Sequence, residues 1–198
     1  MTHPVLDDLQ RRMSNTRKEI EAEMEAQLAE QRERFRYTLH RGKVRFERDM
    51  RALQRRYRVG LLKYVSRARL GYVLSAPIIY GLIVPLAFLD LSVTIYQHVC
   101  FRIYGIPLVR RGDHVVVDRH HLAYLNGLEK LNCVYCGYAN GVISFVREVA
   151  GRTEQFWCPI KHARRNAGPH DHAHRFFDFG DAEAYRSGLA DLRKDWNA

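Results

Sequence analysis

A run of twenty residues without a charged side chain sets the strongest limit on the fold of this 198-residue chain. The run extends from Leu70 to Leu89, and a helix of that length matches the ~30 Å hydrocarbon core of a bilayer. The apolar composition resumes after Asp90 and continues to Phe101. We therefore predict that residues 70–101 form a membrane-inserted helical segment, with membrane lipid as a partner.

Two prolines in this segment leave two membrane topologies open. Pro77 and Pro85 each remove a backbone hydrogen-bond donor, which predicts either a kinked helix or a re-entrant hairpin. A single pass would place the two flanks on opposite sides of the membrane. A break at Pro85 would leave both flanks in the cytoplasm, and we favour this hairpin because the thiolates farther along the chain persist better in a reducing compartment.

Asp90 is the only residue with a formal charge between Leu70 and Phe101. A carboxylate at bilayer depth is costly unless it is neutralised or paired. We expect Asp90 to lie at a hairpin turn or at the membrane interface, with a structural role rather than a role as a proton relay.

The N-terminal third has the composition of one long charged helix. From about Val5 to Arg69 it contains no proline and is dense in strong helix formers. Its apolar residues recur every three or four positions in a narrow stripe, interrupted around Gln31 and Gly42, whose members are Leu6, Leu9, Met13, Ile20, Met24, Leu28, Phe46, Met50, Leu53, Tyr57, Leu61 and Tyr64. So narrow a stripe does not stabilise a lone helix, which predicts self-association as a coiled coil or a protein partner.

The basic excess of the chain is concentrated in one block. Residues 32–69 carry 14 Lys and Arg against 3 Asp and Glu. Its position directly before the apolar run favours anionic lipid headgroups over nucleic acid as its partner. By the positive-inside rule it also predicts a cytoplasmic N-terminus.

Four metal-ligand side chains form two groups in the C-terminal half. Cys133 and Cys136 are three positions apart, and Cys158 and His162 follow after 21 intervening residues. Thiolates and an imidazole at these spacings are what a tetrahedral metal needs, so we predict one structural zinc site of the Cys3His type.

The residues beside these ligands predict their local structure. Gly137 would relieve the tight backbone of a knuckle that carries Cys133 and Cys136. Pro159 suits the first position of a helix that starts at Cys158 and places His162 on the same face. A knuckle followed by the first turn of a helix is the arrangement of a treble-clef zinc finger.

The rest of residues 102–198 would complete a small α+β domain. We predict a strand from His114 to Asp118, helices from His120 to Leu131 and from about Asn140 to Gln155, and a short helix from Asp181. His170, His172 and His174 alternate along the chain, and in an extended segment they would face one side as a possible second metal site. No spacing pairs a nucleophile with a base, so we assign no catalytic residues.

Two resemblances bear on the cysteine groups. Cys133-x2-Cys136-Gly-Tyr and Trp-Cys158-Pro are similar to the iron knuckles of rubredoxin, although rubredoxin has Cys-Pro-x-Cys where this chain has His162. That resemblance implies iron and electron transfer at the membrane as an alternative. The strings CVYCGYANG and TEQFWCPIKH resemble the signature of a family of uncharacterised bacterial membrane proteins. This second resemblance implies a bacterial cytoplasmic membrane and no known activity.

The sequence as a whole predicts a mainly α protein in three parts. Residues 1–69 form the charged helix, 70–101 the membrane segment, and 102–198 the metal-binding domain, which we place in the cytoplasm. The predicted function is that of a membrane-anchored scaffold or interaction module, with a redox protein and a nucleic-acid-binding protein as alternatives.

Overall fold

The computed structural model describes residues 4–40, 43–164 and 166–196, and it is mainly helical. The chain divides into two compact units. The first comprises the described residues of 1–60 together with 121–126, and the second comprises 61–120 and the described residues of 127–198.

The first unit begins with a long exposed helix, α1 (Pro4–Arg34). Intrahelical ion pairs line its surface, for example Arg12 with Asp8 at 2.8 Å and Arg17 with Glu21 at 3.0 Å. Pairs of this kind stabilise a helix by only a few tenths of a kcal/mol each. The predicted long helix is thus confirmed as far as Arg34.

Beyond Arg34 the prediction of a continuous helix to Arg69 is wrong. The chain forms an antiparallel hairpin of β1 (Tyr37–His40) and β2 (Lys43–Phe46), and Arg36 takes a positive φ of 46° just before it. Tyr37 and Phe46 face each other across the strands with ring centroids 5.4 Å apart. Aromatic and β-branched residues favour this pairing over helix. Gly42, where an interruption was predicted, lies outside the described residues.

Two short helices follow the hairpin. In the first unit, α2 (Arg48–Arg56) places the Gln54 side chain so that its Oε1 accepts from the backbone N–H of Ala123 at 3.0 Å. In the second unit, α3 (Leu61–Ser66) directly precedes the apolar segment.

The apolar segment is a continuous helical run from Leu70 to Tyr104, which we call the apolar helix. It consists of α4 (Leu70–Gly81), α5 (Ile83–Tyr96), a π-helical turn (Gln97–Phe101) and α6 (Arg102–Tyr104). Its 35 residues make it long and apolar enough to cross a membrane.

The predicted break at Pro85 is wrong. Leu82, between α4 and α5, keeps right-handed helical angles, and the backbone N–H of Leu86 donates to its carbonyl at 3.2 Å. Pro85 is the third residue of α5, where a missing N–H has little cost, because α5 has only just begun there. The chain therefore does not reverse at Pro85 as the hairpin would require.

The chain reverses after Tyr104 instead. Gly105 ends the helix with a left-handed φ of 71°, a conformation that glycine adopts without strain. A return segment, residues 105–118, then includes the short helix α7 (Arg111–His114). The predicted strand His114–Asp118 is not formed: within the described ranges no strand pairs with it, and it lies on the backbone of the next helix.

That next helix, α8 (Gly127–Trp157), is continuous for 31 residues. It runs parallel to the apolar helix: Tyr80 donates to Asn132 near one end, and Tyr104 stacks on Phe156 near the other. Between these ends lies a buried core, formed by Phe101, Ile106, Val109, Phe145 and Val149. The helix predicted from His120 begins only at Gly127, and it is continuous with the helix predicted from about Asn140 to Gln155.

The C-terminal part of the chain folds back over the end of α8. Ile160 and Phe177 form an isolated parallel bridge, and α9 (Ala182–Leu192) follows. Asp181 caps α9 by accepting from the backbone N–H of Ala184 at 2.9 Å, which confirms the predicted helix start. Gln155 of α8 donates to the carbonyls of Leu192 and Asp195 at 3.1 and 2.8 Å.

We expect Gly141→Ala to lower the free energy of unfolding by about 1–3 kcal/mol, although alanine is the better helix former by ~1 kcal/mol. A Cβ at Gly141 would lie 2.6 Å from Cα of Val115 and 2.9 Å from the carbonyl oxygen of His114. Thermal unfolding of the detergent-purified protein measures the change. The control is Gly127→Ala on the same helix, where a Cβ meets no atom within 4 Å. Equal melting temperatures for the two variants would contradict the packing described.

Candidate functional site

The predicted cysteine knuckle is not formed, because Cys133 and Cys136 both lie inside α8. Cys158 follows the last residue of that helix, and its backbone N–H still donates to the carbonyl of Glu154 at 2.8 Å. The prediction that a helix starts at Cys158 is therefore wrong, because this residue directly follows the end of one. His162 lies in the irregular segment beyond.

The two ligand groups lie toward opposite ends of α8. Twenty-two residues of rise at 1.5 Å each separate Cys136 from Cys158 by ~33 Å. Among the residues that the structure describes, no three His, Cys, Asp or Glu side chains lie close enough together to hold a metal ion. Zinc or iron at the four predicted ligands stays a prediction, and it would require α8 to be interrupted between Cys136 and Cys158.

Gly137 has a different role from the one predicted. A Cβ at this position would lie 3.0 Å from the carbonyl oxygen of Val116. With Gly141 one turn later, Gly137 makes a smooth strip on α8 that lets the return segment lie directly on the helix backbone. The Gly-x3-Gly spacing was visible in the sequence as a signal for such close packing.

Asp90 is the most deeply placed charge of the apolar helix, with 8% of its surface exposed. Arg111 of α7 donates to both carboxylate oxygens: Nε lies 2.9 Å from Oδ1, and Nη2 lies 2.7 Å from Oδ2. The Tyr138 hydroxyl of α8 donates to Oδ2 at 3.0 Å. Asp90 lies inside α5 and not at a hairpin turn, and its carboxylate is both paired and hydrogen-bonded, as a structural role requires.

The network also affects its two donors. The hydrogen bond to Asp90 raises the pKa of Arg111 above its ordinary value. Burial is the main cause that raises the pKa of Tyr138, and its hydrogen bond to Asp90 adds to this. Both groups therefore stay protonated, as donors to the carboxylate. No local pattern identified these partners beforehand, because they lie 21 and 48 positions beyond Asp90.

A second polar contact holds the return segment two turns farther along the apolar helix. The buried Gln97 accepts from the backbone N–H of Val109 at 3.0 Å and donates to its carbonyl at 3.3 Å. Gln97 begins the π-helical turn, a local widening that occurs often at functional sites. The one side-chain amide thus satisfies both backbone polar groups of Val109.

Two histidines of the predicted second metal site bind carboxylates of α8 instead. Nε2 of His170 lies 2.7 Å from Oε2 of Glu154, and Nε2 of His172 lies 3.1 Å from Oε1 of Glu148. Both imidazoles pack over Gly151, where a Cβ would lie 2.9 Å from Nδ1 of His170.

The third histidine, His174, lies in a 3-10 turn (Ala173–Arg175) rather than in the extended chain predicted. The extended segment on which the predicted second metal site depended is therefore not formed. His170 and His172 instead attach the C-terminal part of the chain to α8.

Glu148 is the carboxylate of this cluster that has two basic side chains beside it, His172 and Arg152. The hydrogen bond from His172, with help from Arg152 at 2.8 Å, lowers the pKa of Glu148 from 4.5 to about 2. Burial opposes this shift without reversing it. Glu148 is thus ionised in the folded protein well below the pH at which it would be protonated in an unfolded chain.

No protein-family model, curated protein or solved structure matches this chain. The resemblance to bacterial membrane proteins through the two cysteine strings stays a prediction. The geometry of the site is that of two polar attachments to long helices, one at Asp90 and Gln97 and the other at Glu148 and Glu154.

We expect Cys136→Ser to change the melting temperature by less than about 3 °C, because Cys136 is an exposed side chain of a continuous helix. Thermal unfolding and elemental mass spectrometry of the purified protein measure stability and bound metal. Ile143→Ser, at another exposed position of α8, is the control. One zinc per chain that is lost in Cys136→Ser together with a large fall in melting temperature would restore the Cys3His hypothesis.

Arg111→Met should destabilise the protein by about 3 kcal/mol, since it leaves the buried Asp90 carboxylate without its cation. Asp90→Asn should lower the free energy of unfolding by less, because the Arg111 side chain that it leaves unpaired is 41% exposed and can be hydrated. The double variant should recover part of the loss. Urea unfolding in detergent gives the three values, and an equal cost for both single variants would contradict this asymmetry.

Glu148→Gln should destabilise the protein at pH 7 and lose its effect in acid. The pKa of Glu148 is depressed in the fold, so its contribution is complete above pH 4.5 and disappears as the pH falls toward about 2. Unfolding of both proteins at pH 7 and near pH 3 tests this expectation. Glu183→Gln on the exposed face of α9 is the control, and a cost of Glu148→Gln that does not depend on pH would refute the pairing.

Proposed function

We propose that this protein is a membrane-anchored interaction module. The apolar helix is its anchor, the return segment with α8 and the C-terminal part forms a domain fixed to that anchor, and α1 recruits a second copy. The observation that carries the proposal is the exposure of the apolar helix on one face while its opposite face is built into a packed domain.

The exposed face supports the anchor. Large apolar side chains stand exposed along most of the apolar helix, among them Leu70, Leu74, Ile78, Val84, Phe88, Leu91, Ile95, Val99 and Ile103. An exposed apolar surface of this length marks a contact with lipid or with another protein. Lipid fits best, because residues 70–89 have the length of the hydrocarbon core and no charge.

The opposite face supports a rigid attachment. Asp90 and Gln97 are buried polar positions of the apolar helix, and each is satisfied by the return segment. Phe101 is completely buried against the α8 core. An anchor joined by a flexible linker would have none of these contacts, so we propose that helix and domain move as one body.

The exposed α1 helix supports a recruiting role. Met13, Ile20, Met24 and Leu28 are exposed at helical spacing along one face of α1. Helical propensity and surface ion pairs give an isolated helix only marginal stability, and an apolar stripe is normally covered. A second copy of α1 would cover it as a coiled coil. On this proposal the basic N-terminal part lies in the bacterial cytoplasm.

Membrane extraction tests the anchor. We expect the full-length protein to stay with membranes washed in alkaline carbonate, and the variant Leu74→Lys with Ile78→Lys to be released, because each lysine costs about 3 kcal/mol in the bilayer centre. Ala182→Lys with Ala190→Lys on the exposed part of α9 is the control and should stay. Release of the wild-type protein would contradict the proposed membrane anchor.

Light scattering of the detergent-purified protein tests recruitment. Ile20→Glu with Met24→Glu should convert a dimer to a monomer, because the charges interrupt the stripe. The same change on the opposite side of the helix, Ala22→Glu with Ala26→Glu, should leave the dimer intact. A monomeric wild-type protein would remove the second copy from the proposal and leave the anchor untouched.

A further inference from the structure

The nineteen residues before the apolar helix are entirely without acidic side chains. Between Arg51 and Arg69 the basic residues number seven, namely Arg51, Arg55, Arg56, Arg58, Lys63, Arg67 and Arg69. We call this stretch the basic collar. Its charge of +7 over nineteen residues is not balanced anywhere within it.

The described part of the chain supplies no acidic partner to any of these seven side chains, and all seven are exposed. The ion pairs of the first unit use earlier arginines, such as Arg12, Arg32 and Arg36, each within 4 Å of a carboxylate. The collar begins two residues after Asp49, the last acid before the apolar helix. Its cations are therefore available to an anionic partner outside the chain.

Exposed apolar side chains alternate with these cations. Tyr57 is 75% exposed and Leu62 of α3 is 88% exposed. Leu53, Val59, Leu61 and Val65 are exposed as well. A mixture of cations and exposed apolar groups is typical of segments that lie in the headgroup layer, where the charges meet phosphates and the apolar groups reach the acyl boundary. A duplex nucleic acid would offer the apolar groups no such environment.

The position of the collar in the sequence, directly before the apolar helix, favours a membrane surface as its partner. Arg69 is the residue immediately before Leu70, the first residue of the apolar helix, and Arg67 and Lys63 precede it closely in the chain. Clusters of four to eight Lys and Arg beside a membrane helix are attracted to anionic lipids.

We propose that the basic collar, Arg51–Arg69, is a docking surface for the anionic phospholipid headgroups of the membrane that holds the apolar helix. This inference rests on the proposed function, because it needs the helix to be anchored. It adds a lipid requirement: the collar contacts the surface only where that surface carries anionic lipid.

The test uses the full-length protein in lipid nanodiscs of phosphatidylcholine, with or without about 30% phosphatidylglycerol. Trypsin cleavage after Lys63, Arg67 and Arg69 is followed by mass spectrometry, and cleavage after Lys18 and Arg34 of α1 serves as an internal reference. We expect phosphatidylglycerol to slow collar cleavage about tenfold relative to the reference and about 1 M salt to remove the protection.

A matched pair of variants separates the collar from total charge, because each variant removes three cations and leaves every measured cleavage site in place. Arg55→Gln with Arg56→Gln and Arg58→Gln should lose most of the protection. The control changes three exposed arginines of α1, Arg11→Gln with Arg12→Gln and Arg17→Gln, and should keep it. Equal loss of protection in both variants would show an effect of total charge and would overturn the docking surface.

The outcomes distinguish the two levels of the proposal. A protein that fails to enter nanodiscs contradicts the anchor and hence the proposed function. A protein that enters but is cleaved equally in both lipids overturns the docking surface alone. Protection by added duplex DNA in phosphatidylcholine discs, with none from phosphatidylglycerol, would assign the collar to nucleic acid and also overturn it.

Discussion

The pair between Asp90 and Arg111 fixes how the chain returns along the apolar helix. A buried carboxylate is costly unless its charge is matched, and the Arg111 guanidinium, together with a hydrogen bond from Tyr138, matches it. Because Arg111 belongs to the return segment and Tyr138 to α8, one charge holds three parts of the second unit together. Gln97 repeats the arrangement with a neutral side chain two turns later.

Small residues on α8 make the other attachments possible. Gly137 and Gly141 admit the backbone of the return segment, and Gly151 admits His170 and His172 from the C-terminal part. At each place a methyl group would lie about 3 Å or less from another atom. Other segments therefore pack directly against the backbone of α8. The polar pairs fix the position of these segments along the helix.

The balance between acidic and basic side chains differs from one segment of the chain to the next. Acidic and basic side chains of α1 pair with one another, whereas the collar before the apolar helix has cations alone. Within the apolar helix the single carboxylate is neutralised internally. The proposed function requires this order, with a charge-balanced helix for a protein partner, a cationic segment for lipid headgroups and an uncharged face for the bilayer.

Three features could be predicted from the amino-acid sequence because they depend on local composition: the helix α1, the apolar helix and the cap of α9 at Asp181. Periodicity, charge and capping act over a few residues, so they can be identified without knowledge of neighbours. The conformation from Cys133 to Cys158, in contrast, depends on tertiary packing. A metal knuckle and a continuous helix compete for the same residues, and spacing alone does not choose between them.

In this fold the backbone of Val115 and Val116 packs on Gly141 and Gly137, which are one turn apart only if that stretch is helical. The partners of Asp90 and of the two histidines were equally inaccessible to sequence reasoning. Contacts across tens of residues depend on which helices lie side by side, and no local pattern carries that information.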